Sequence, residues 1–537
     1  MADDRTVHDV TYDLLRTLGL TTVFGNPGST EQTFLRDFPA DFTYILALQE
    51  ASVLAMADGF AQATGRPTLV NVHTAAGLGN AMGSLVAAYK SNTPLIVTAG
   101  QQTREMVLLE PYLSNRDETL LPVPWVKWSY QPTRAEDVPA AFMRAYAIAT
   151  QPPMGPVFLS IPLDDWDKPA LGPAVVRTVS HRTAPDGGRL QEFADRINRA
   201  ERPVLVFGPE VDRAGAWDAA VAFAQKLRVP VYNGPLPDRV SFPEDHPLYR
   251  GQLPLTIAAV NEALTGYDLV VVIGAQVFRY YPYVPGEYLP EGTELLHVTA
   301  DPSIVGAAPV GDSLLGDPLL VLEQLIDLVE APAGREAPAP VRPARALPDQ
   351  ENSPLTPAEV YSTLSMLRPE DSALVNESTS TMAEQLEWLP TVRTGSFYAT
   401  GSGGIGWGVP AAVGVAVGDR ERGVRRTVIA TIGDGSFQYS VQSIWTAVQH
   451  RLPIVFVVMR NEEYSILKSF ALLEKTPNVP GLDLPGLDIV SVATGFGCRA
   501  VHADTTAQII EQVNAAMAAD GPTVVVVRTQ PQLAHLG

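Results

Sequence analysis

Residues suited to holding a divalent cation and a diphosphate are concentrated between Thr427 and Phe470, in TVIATIGDGSFQYSVQSIWTAVQHRLPIVFVVMRNEEYSILKSF. Asp434, inside Gly433-Asp434-Gly435, offers a hard carboxylate oxygen. Asn461 offers an uncharged one, and a carbonyl near Glu463 offers a third. Mg²⁺ (or Ca²⁺) accepts such donors, and Mg²⁺ in particular completes a sparse oxygen set with phosphate oxygens and water. Gly435 and Ser436 open the following helix, whose free N–H groups suit a phosphate.

Such a site needs elements that bring its two ends together. The β-branched run Thr427 to Ile432 predicts a strand, the apolar-periodic segment Ser436 to His450 a helix, and Leu452 to Met459 a second strand. A right-handed crossover makes the strands parallel, so Asp434 and Asn461 meet at the carboxyl edge of the sheet, where open α/β sheets bind ligands.

Three further candidates each follow a predicted strand nearer the N-terminus. Ser29 lies in Asn26-Pro27-Gly28-Ser29-Thr30 after Thr22 to Gly25; Glu50 follows Phe42 to Gln49; His73 follows Thr68 to Val72. Each has a plain structural reading: an N-cap, a favourable charge at a helix start, a satisfied polar group. Each also has a chemical one. The Ser29 hydroxyl and Gly28 backbone can meet a substrate carboxylate at a helix N-terminus. A desolvated Glu50 can share a proton with a ring nitrogen. An unperturbed imidazole titrates near pH ~6.5, so His73 can move protons to and from an intermediate. As strand-end residues of one sheet, the three converge from distant positions.

The totals bound the rest. A chain of 537 residues exceeds a single core, and its 46% hydrophobic and 18% charged fractions describe a globular protein. Net charge −21 disfavours nucleic acid or an anionic membrane surface as partner. Cys498, the single cysteine, excludes an internal disulfide and reads as core, with a reducing cytoplasm the expected setting. The N-terminus lacks the pattern of a secretory signal, and no apolar run reaches the ~18 residues of a membrane span.

Alternating short apolar strands and longer helical segments predict three doubly wound α/β domains with mostly parallel sheets, at 1–169, 190–330 and 357–537. Pro169 to Arg189 and the Pro- and Ala-dense stretch Ala331 to Pro357 read as connections. GPEVDRAG, after the middle domain's first strand, lacks the GxGxxG spacing, so no dinucleotide and no FAD are expected there.

GDG, a helix, a second apolar strand and Asn form the thiamine-diphosphate signature. GNPGST, NVHTAAGLGNAMGSL, VKWSY, DDWDK, NESTST and NVPGLDLPGLD stand in the order expected of the 2-oxo-acid decarboxylases. The chain resembles that family, the benzoylformate decarboxylases in particular, over nearly its whole length. The resemblance implies a pyrimidine-binding first domain, a middle domain and a diphosphate-binding third, with thiamine diphosphate and Mg²⁺ (or Ca²⁺) as cofactors. It implies a small 2-oxo acid as substrate, and a homotetramer of dimers with shared active sites.

By the same resemblance Glu50 contacts the aminopyrimidine and promotes cofactor activation. Thr379, Ser380, Ser436 and Tyr464 hold diphosphate oxygens, a carbonyl near Gly403 accepts from the 4′-amino group, and Ile405 is the wedge that bends the cofactor. Tyr112 and Leu113 match the pocket wall. Ile466, Leu467 and Phe470, after Asn461, are placed towards the substrate, although apolar residues at that spacing also suit a core. Two positions depart from the pattern. Tyr281 stands where benzoylformate decarboxylases carry a second catalytic histidine, and Ala399 where they carry an aromatic, with Ile466 refilling some of that volume. A phenol donates a hydrogen bond but shuttles protons poorly near neutrality. The principal reading is non-oxidative decarboxylation of an aryl 2-oxo acid such as benzoylformate. The alternative is a carboligase that traps the same carbanion with an aldehyde as second substrate. A non-catalytic relative is the remote alternative, opposed by Glu50, Asp434 and Asn461.

Overall fold

The computed structural model describes residues 5–341 and 351–534. Part of the connection expected over Ala331 to Pro357, residues 342–350, lies outside the described residues, as do residues 1–4 of the N-terminal reading.

Short runs of Val, Ile and Leu, buried on both faces, build three six-stranded sheets whose pairings are all parallel. In spatial order the first contains Thr43–Leu46, Thr22–Asn26, Thr68–Val72, Leu95–Gln101, Val157–Pro162 and Ser129–Tyr130. The second contains Asp312–Leu315, Glu294–Thr299, Leu269–Ile273, Pro203–Phe207, Val231–Asn233 and Tyr249–Gln252. Its two edge strands, short and partly exposed, give no apolar run in the sequence. The third contains Phe397–Ala399, Ala373–Glu377, Val428–Gly433, Ile454–Arg460, Thr523–Arg528 and Arg499–His502.

The helix Glu50–Thr64 of the first domain packs on Gly408–Glu421 of the third. Glycine permits the contact: a Cβ on Gly414 would sit 1.9 Å from the Met56 carbonyl oxygen, and one on Gly59 2.3 Å from that of Ala411. One core cluster therefore runs through both domains, from Phe24 and Val70 to Val428 and Phe456. The middle sheet has its own. Cys498 belongs to the shared core, and burial pushes its thiol up to about 12.

The single helix expected over Ser436 to His450 is corrected to two, Asp434–Tyr439 and Ser443–Gln449. The break admits a neighbouring loop: the Ser440 hydroxyl donates to the Gly406 carbonyl at 2.6 Å, and Tyr439 packs on Gly406. That contact is tertiary, and apolar periodicity runs straight through it.

Candidate active site

The first sheet supplies one half of a site. Register sets Gly25 beside Leu46 and Asn26 beside Val72, so the loop after Asn26, the start of Glu50–Thr64, and His73 emerge at one edge. Gln49, not Glu50, caps its helix, accepting from the Ser52 N–H at 3.1 Å. Glu50 is thus left to its side-chain partners: Oε2 accepts from Asn80 Nδ2 at 3.0 Å and Oε1 from Asn26 Nδ2 at 3.5 Å. The short helix Gln32–Leu35 has no side-chain cap, so Ser29 is not spent as one; it is exposed, and Thr30 is buried. His73 lies against the loop so closely that a Cβ on Gly28 would fall 2.0 Å from its Nδ1. Its partner is one the sequence reading did not single out. Glu31, which reads in the chain only as a helix start, is buried and faces Nδ1 at 2.7 Å.

The third sheet supplies the other half. Gly433 pairs with Met459, which brings Asp434 and Asn461 out side by side. Asp434 Oδ1 accepts from the Gly435 N–H at 2.8 Å and Oδ2 from that of Glu462 at 2.7 Å; burial lifts its carboxyl above the usual range. Asn461 Oδ1 accepts from the Glu463 N–H at 3.2 Å and Nδ2 donates to Ser465 Oγ at 2.9 Å. The Glu463 carboxylate is tied to Lys468 and Ser465, which leaves its backbone carbonyl as the oxygen available to a cation. Tyr464 lies over Gly435, where a Cβ would approach its Cε1 to 2.4 Å. Ser378 and Thr381 hydroxyls bond each other at 2.8 Å inside the turn after Ala373–Glu377, while Thr379 is exposed and Ser380 half-buried.

The glycine loop Gly401 to Gly408 crosses between the halves. Gly403 and Gly406 have φ of +74° and +102°, conformations that disfavour any side chain. Ile405 between them is half-buried. Trp407 anchors the loop twice: its Nε1 donates to Asp58 of the first domain at 2.7 Å, and its backbone N–H to Glu377 Oε1 at 2.8 Å. Burial raises both carboxyls, Glu377 to about 7.

Within one chain the halves stand apart. His73 precedes and Ser91 follows the 17-residue helix Thr74–Lys90, which is about 25 Å long at 1.5 Å per residue. Ser91 Oγ accepts from the Gly401 N–H at 3.0 Å, so the helix separates His73 from the glycine loop. Among the other expected pocket residues, Tyr281 packs against Phe470 with ring centroids 4.9 Å apart and the rings tilted by 45°. Ile466 is half-buried and Leu467 exposed. Tyr112 is 89% exposed, in a segment that also exposes Leu108, Leu109 and Leu120, and Leu113 is half-buried beside it. Ala399 is buried with Phe397, Leu374 and Trp388; it pairs with Asn376, and its N–H donates to the Asp238 carbonyl at 3.0 Å.

Family models match in three blocks: the thiamine pyrophosphate enzyme N-terminal TPP binding domain over 5–119, the central domain over 190–325, and the C-terminal TPP binding domain over 378–527. The chain is 46% identical to the benzoylformate decarboxylase of Pseudomonas aeruginosa, covering 98% of this chain and 99% of that one. The chain belongs to the thiamine pyrophosphate enzyme family. Among solved structures, a Mycobacterium smegmatis enzyme provisionally described as thiamin diphosphate-dependent is 67% identical, with TM-score 0.95 and 98% and 100% of the two chains covered. The benzoylformate decarboxylase of Polynucleobacter necessarius is 49% identical, with TM-score 0.97 and coverage of 98% and 99%. In this thiamine pyrophosphate enzyme, the described residues contain no helix long and apolar enough to cross a membrane. Nor do they contain a cluster of three or more His, Cys, Asp or Glu side chains able to hold a metal. The donor set of one carboxylate, one amide and a backbone carbonyl fits a cation that completes its shell with diphosphate oxygens.

Proposed function

We propose that this enzyme decarboxylates an aryl 2-oxo acid, benzoylformate being the reference substrate, to CO₂ and the aldehyde. The observation that carries the reading is the end-to-end likeness to the Pseudomonas benzoylformate decarboxylase. Asp434, Asn461 and the Glu463 carbonyl would hold Mg²⁺ (or Ca²⁺), and Thr379, Ser380, Ser436 and Tyr464 the diphosphate. Gly403 and Ile405 would seat the pyrimidine and thiazolium rings. When bound, thiamine diphosphate supplies a nucleophilic carbon and an electron sink for the pair released with CO₂. Glu50 exchanges a proton with the pyrimidine. Ser29 and the Gly28 backbone orient the substrate carboxylate, and His73 delivers the proton that the aldehyde carbon gains. Apolar residues around Phe470 exclude water, which favours loss of a poorly solvated carboxylate.

The separation of the halves supports a dimer in which Glu50 and His73 of one copy serve the Asp434 site of the other. The exposed segment carrying Leu108, Leu109 and Tyr112 would cover the partner copy's face bearing Tyr281, Leu467 and Leu472, all exposed in the single chain. A homotetramer would pair two such dimers. A carboligase is the second reading, and Tyr281, a phenol facing Phe470, is the observation that favours it; the buried Ala399 lends it little. CO₂ release from a panel of 2-oxo acids, with cofactor and Mg²⁺ and with or without excess aldehyde, tests both. Silence towards every aryl 2-oxo acid sinks the principal reading. Simple aldehyde as product in every mixture sinks the second.

A further inference from the structure

The Glu31 carboxylate is saturated with donors. Oε1 accepts from the Gly100 N–H at 2.7 Å and from the Thr30 hydroxyl at 2.8 Å; Oε2 accepts from the Gly28 N–H at 2.9 Å and faces His73 Nδ1 at 2.7 Å. Its side chain is 0% exposed, and among the described residues His73 is the one basic side chain within ion-pair distance of it. An ionised carboxylate can accept all four hydrogen bonds; a protonated one would turn an O–H towards one of those donors. Because Oε2 also accepts the Gly28 N–H, a role that the O–H oxygen of a neutral carboxyl fills poorly, the arrangement that satisfies all four contacts is the ionised carboxylate with His73 Nδ1–H as donor.

The Thr30 contact agrees with this assignment. Its hydroxyl hydrogen is directed to Glu31, so its contact with His73 Nδ1 at 3.2 Å can only be accepted from an N–H. Two glycines make room for the arrangement. A Cβ on Gly28 would strike the imidazole, and one on Gly100 would lie 2.5 Å from Glu31 Oε1.

We propose that Glu31 is a positioning residue for His73: its ionised carboxylate fixes the imidazole as the Nδ1–H tautomer and leaves Nε2 as the atom that gives and takes the proton. This rests on the reading of His73 as the proton-handling group. Holding the ring by one nitrogen fixes both the tautomer and the direction in which the other points, as the outer partner of a catalytic or metal-bound histidine does. Transfer moves one proton from His73 Nε2–H to the substrate-derived carbon, and a solvent proton restores it. Glu31 keeps its charge throughout.

Solid-state ¹⁵N spectra of the histidine-labelled holoenzyme at pH 8, with His73 assigned by its loss in His73→Gln, report the tautomer without turnover. A protonated Nδ1 and a bare Nε2 are expected. An Nε2–H tautomer in the wild type overturns the proposal, whether or not any Glu31 variant folds. Glu31→Ala should shift His73 towards Nε2–H and lower kcat about 10- to 100-fold, with KM and thiamine diphosphate affinity changed less than about threefold. Glu31→Asp, a methylene short, should recover part of kcat. An unchanged kcat in folded Glu31→Ala also overturns the proposal. If the wild type shows Nδ1–H yet releases no CO₂ from any 2-oxo acid, the proposed function fails while the tautomer assignment stands.

Discussion

Replacing Glu377 by glutamine tests how the glycine loop is held. Glu377 ends an inner strand of the third sheet, is buried, and accepts the Trp407 N–H through Oε1, with the Gly406 and Gly408 N–H groups also beside its carboxyl. Burial is the dominant cause that raises its carboxyl from 4.5 to about 7. The folded state therefore holds this proton more tightly than the unfolded chain does. Below about pH 4.5 both states are protonated and nothing is lost. As pH rises from about 4.5 to about 7 the unfolded chain ionises first, and stability falls. At about 1.4 kcal/mol per pKa unit, the loss levels off above pH 7 at about 3 kcal/mol. Glutamine reproduces the neutral acid's shape and keeps an acceptor for Trp407. The difference in unfolding free energy between Glu377→Gln and wild type should grow by about 2 to 3 kcal/mol in the variant's favour between pH 5 and pH 8.5. Taking the difference cancels Glu244, which burial also raises to about 7. In thermal unfolding this appears as a melting difference of several degrees that opens with pH. Parallel pH profiles for the two proteins would refute the assignment of a buried, neutral carboxyl under Trp407.

Glu50→Gln should lower CO₂ release about 10²- to 10⁴-fold while calorimetric binding of thiamine diphosphate persists; wild-type turnover would overturn the cofactor-activating role. Exhaustive chelation should release thiamine diphosphate, and either Mg²⁺ or Ca²⁺ should restore its binding, followed by thiochrome fluorescence; full cofactor retention in metal-free protein would contradict the Asp434–Asn461 reading. Gly414→Val drives a side chain into the Met56 carbonyl, which is backbone and cannot swing away. It should destabilise the protein by about 1–3 kcal/mol or more in denaturant unfolding, and an unaltered midpoint would show that the two helices part freely.

The parts of this molecule that were legible in the chain are those whose cause is local. Val428–Gly433 and Ile454–Arg460 are apolar on both faces because parallel strands are covered on both sides, and their ends then carry Asp434 and Asn461 to one edge without further information. Ser29, Glu50 and His73 follow from the same rule applied to the first sheet. What stayed hidden depends on a partner elsewhere in the chain. The break at Ser440 answers a glycine loop more than 30 residues upstream, and Tyr249–Gln252 becomes a strand only because Val231–Asn233 lies beside it. Glu31 looks like any acidic residue opening a helix until Gly28 and Gly100 let His73 and the backbone close on it. Trp407 extends the point to function. Its indole is held by Asp58, two turns along the helix that Glu50 begins, while its backbone is held by Glu377. The helix that would present Glu50 to a partner copy's cofactor thus also fixes, through Trp407, the loop carrying Ile405 in its own chain. A shift of that helix would disturb Glu50 and the loop at once, and the helix lies in close contact with Gly408–Glu421 at Gly59 and Gly414.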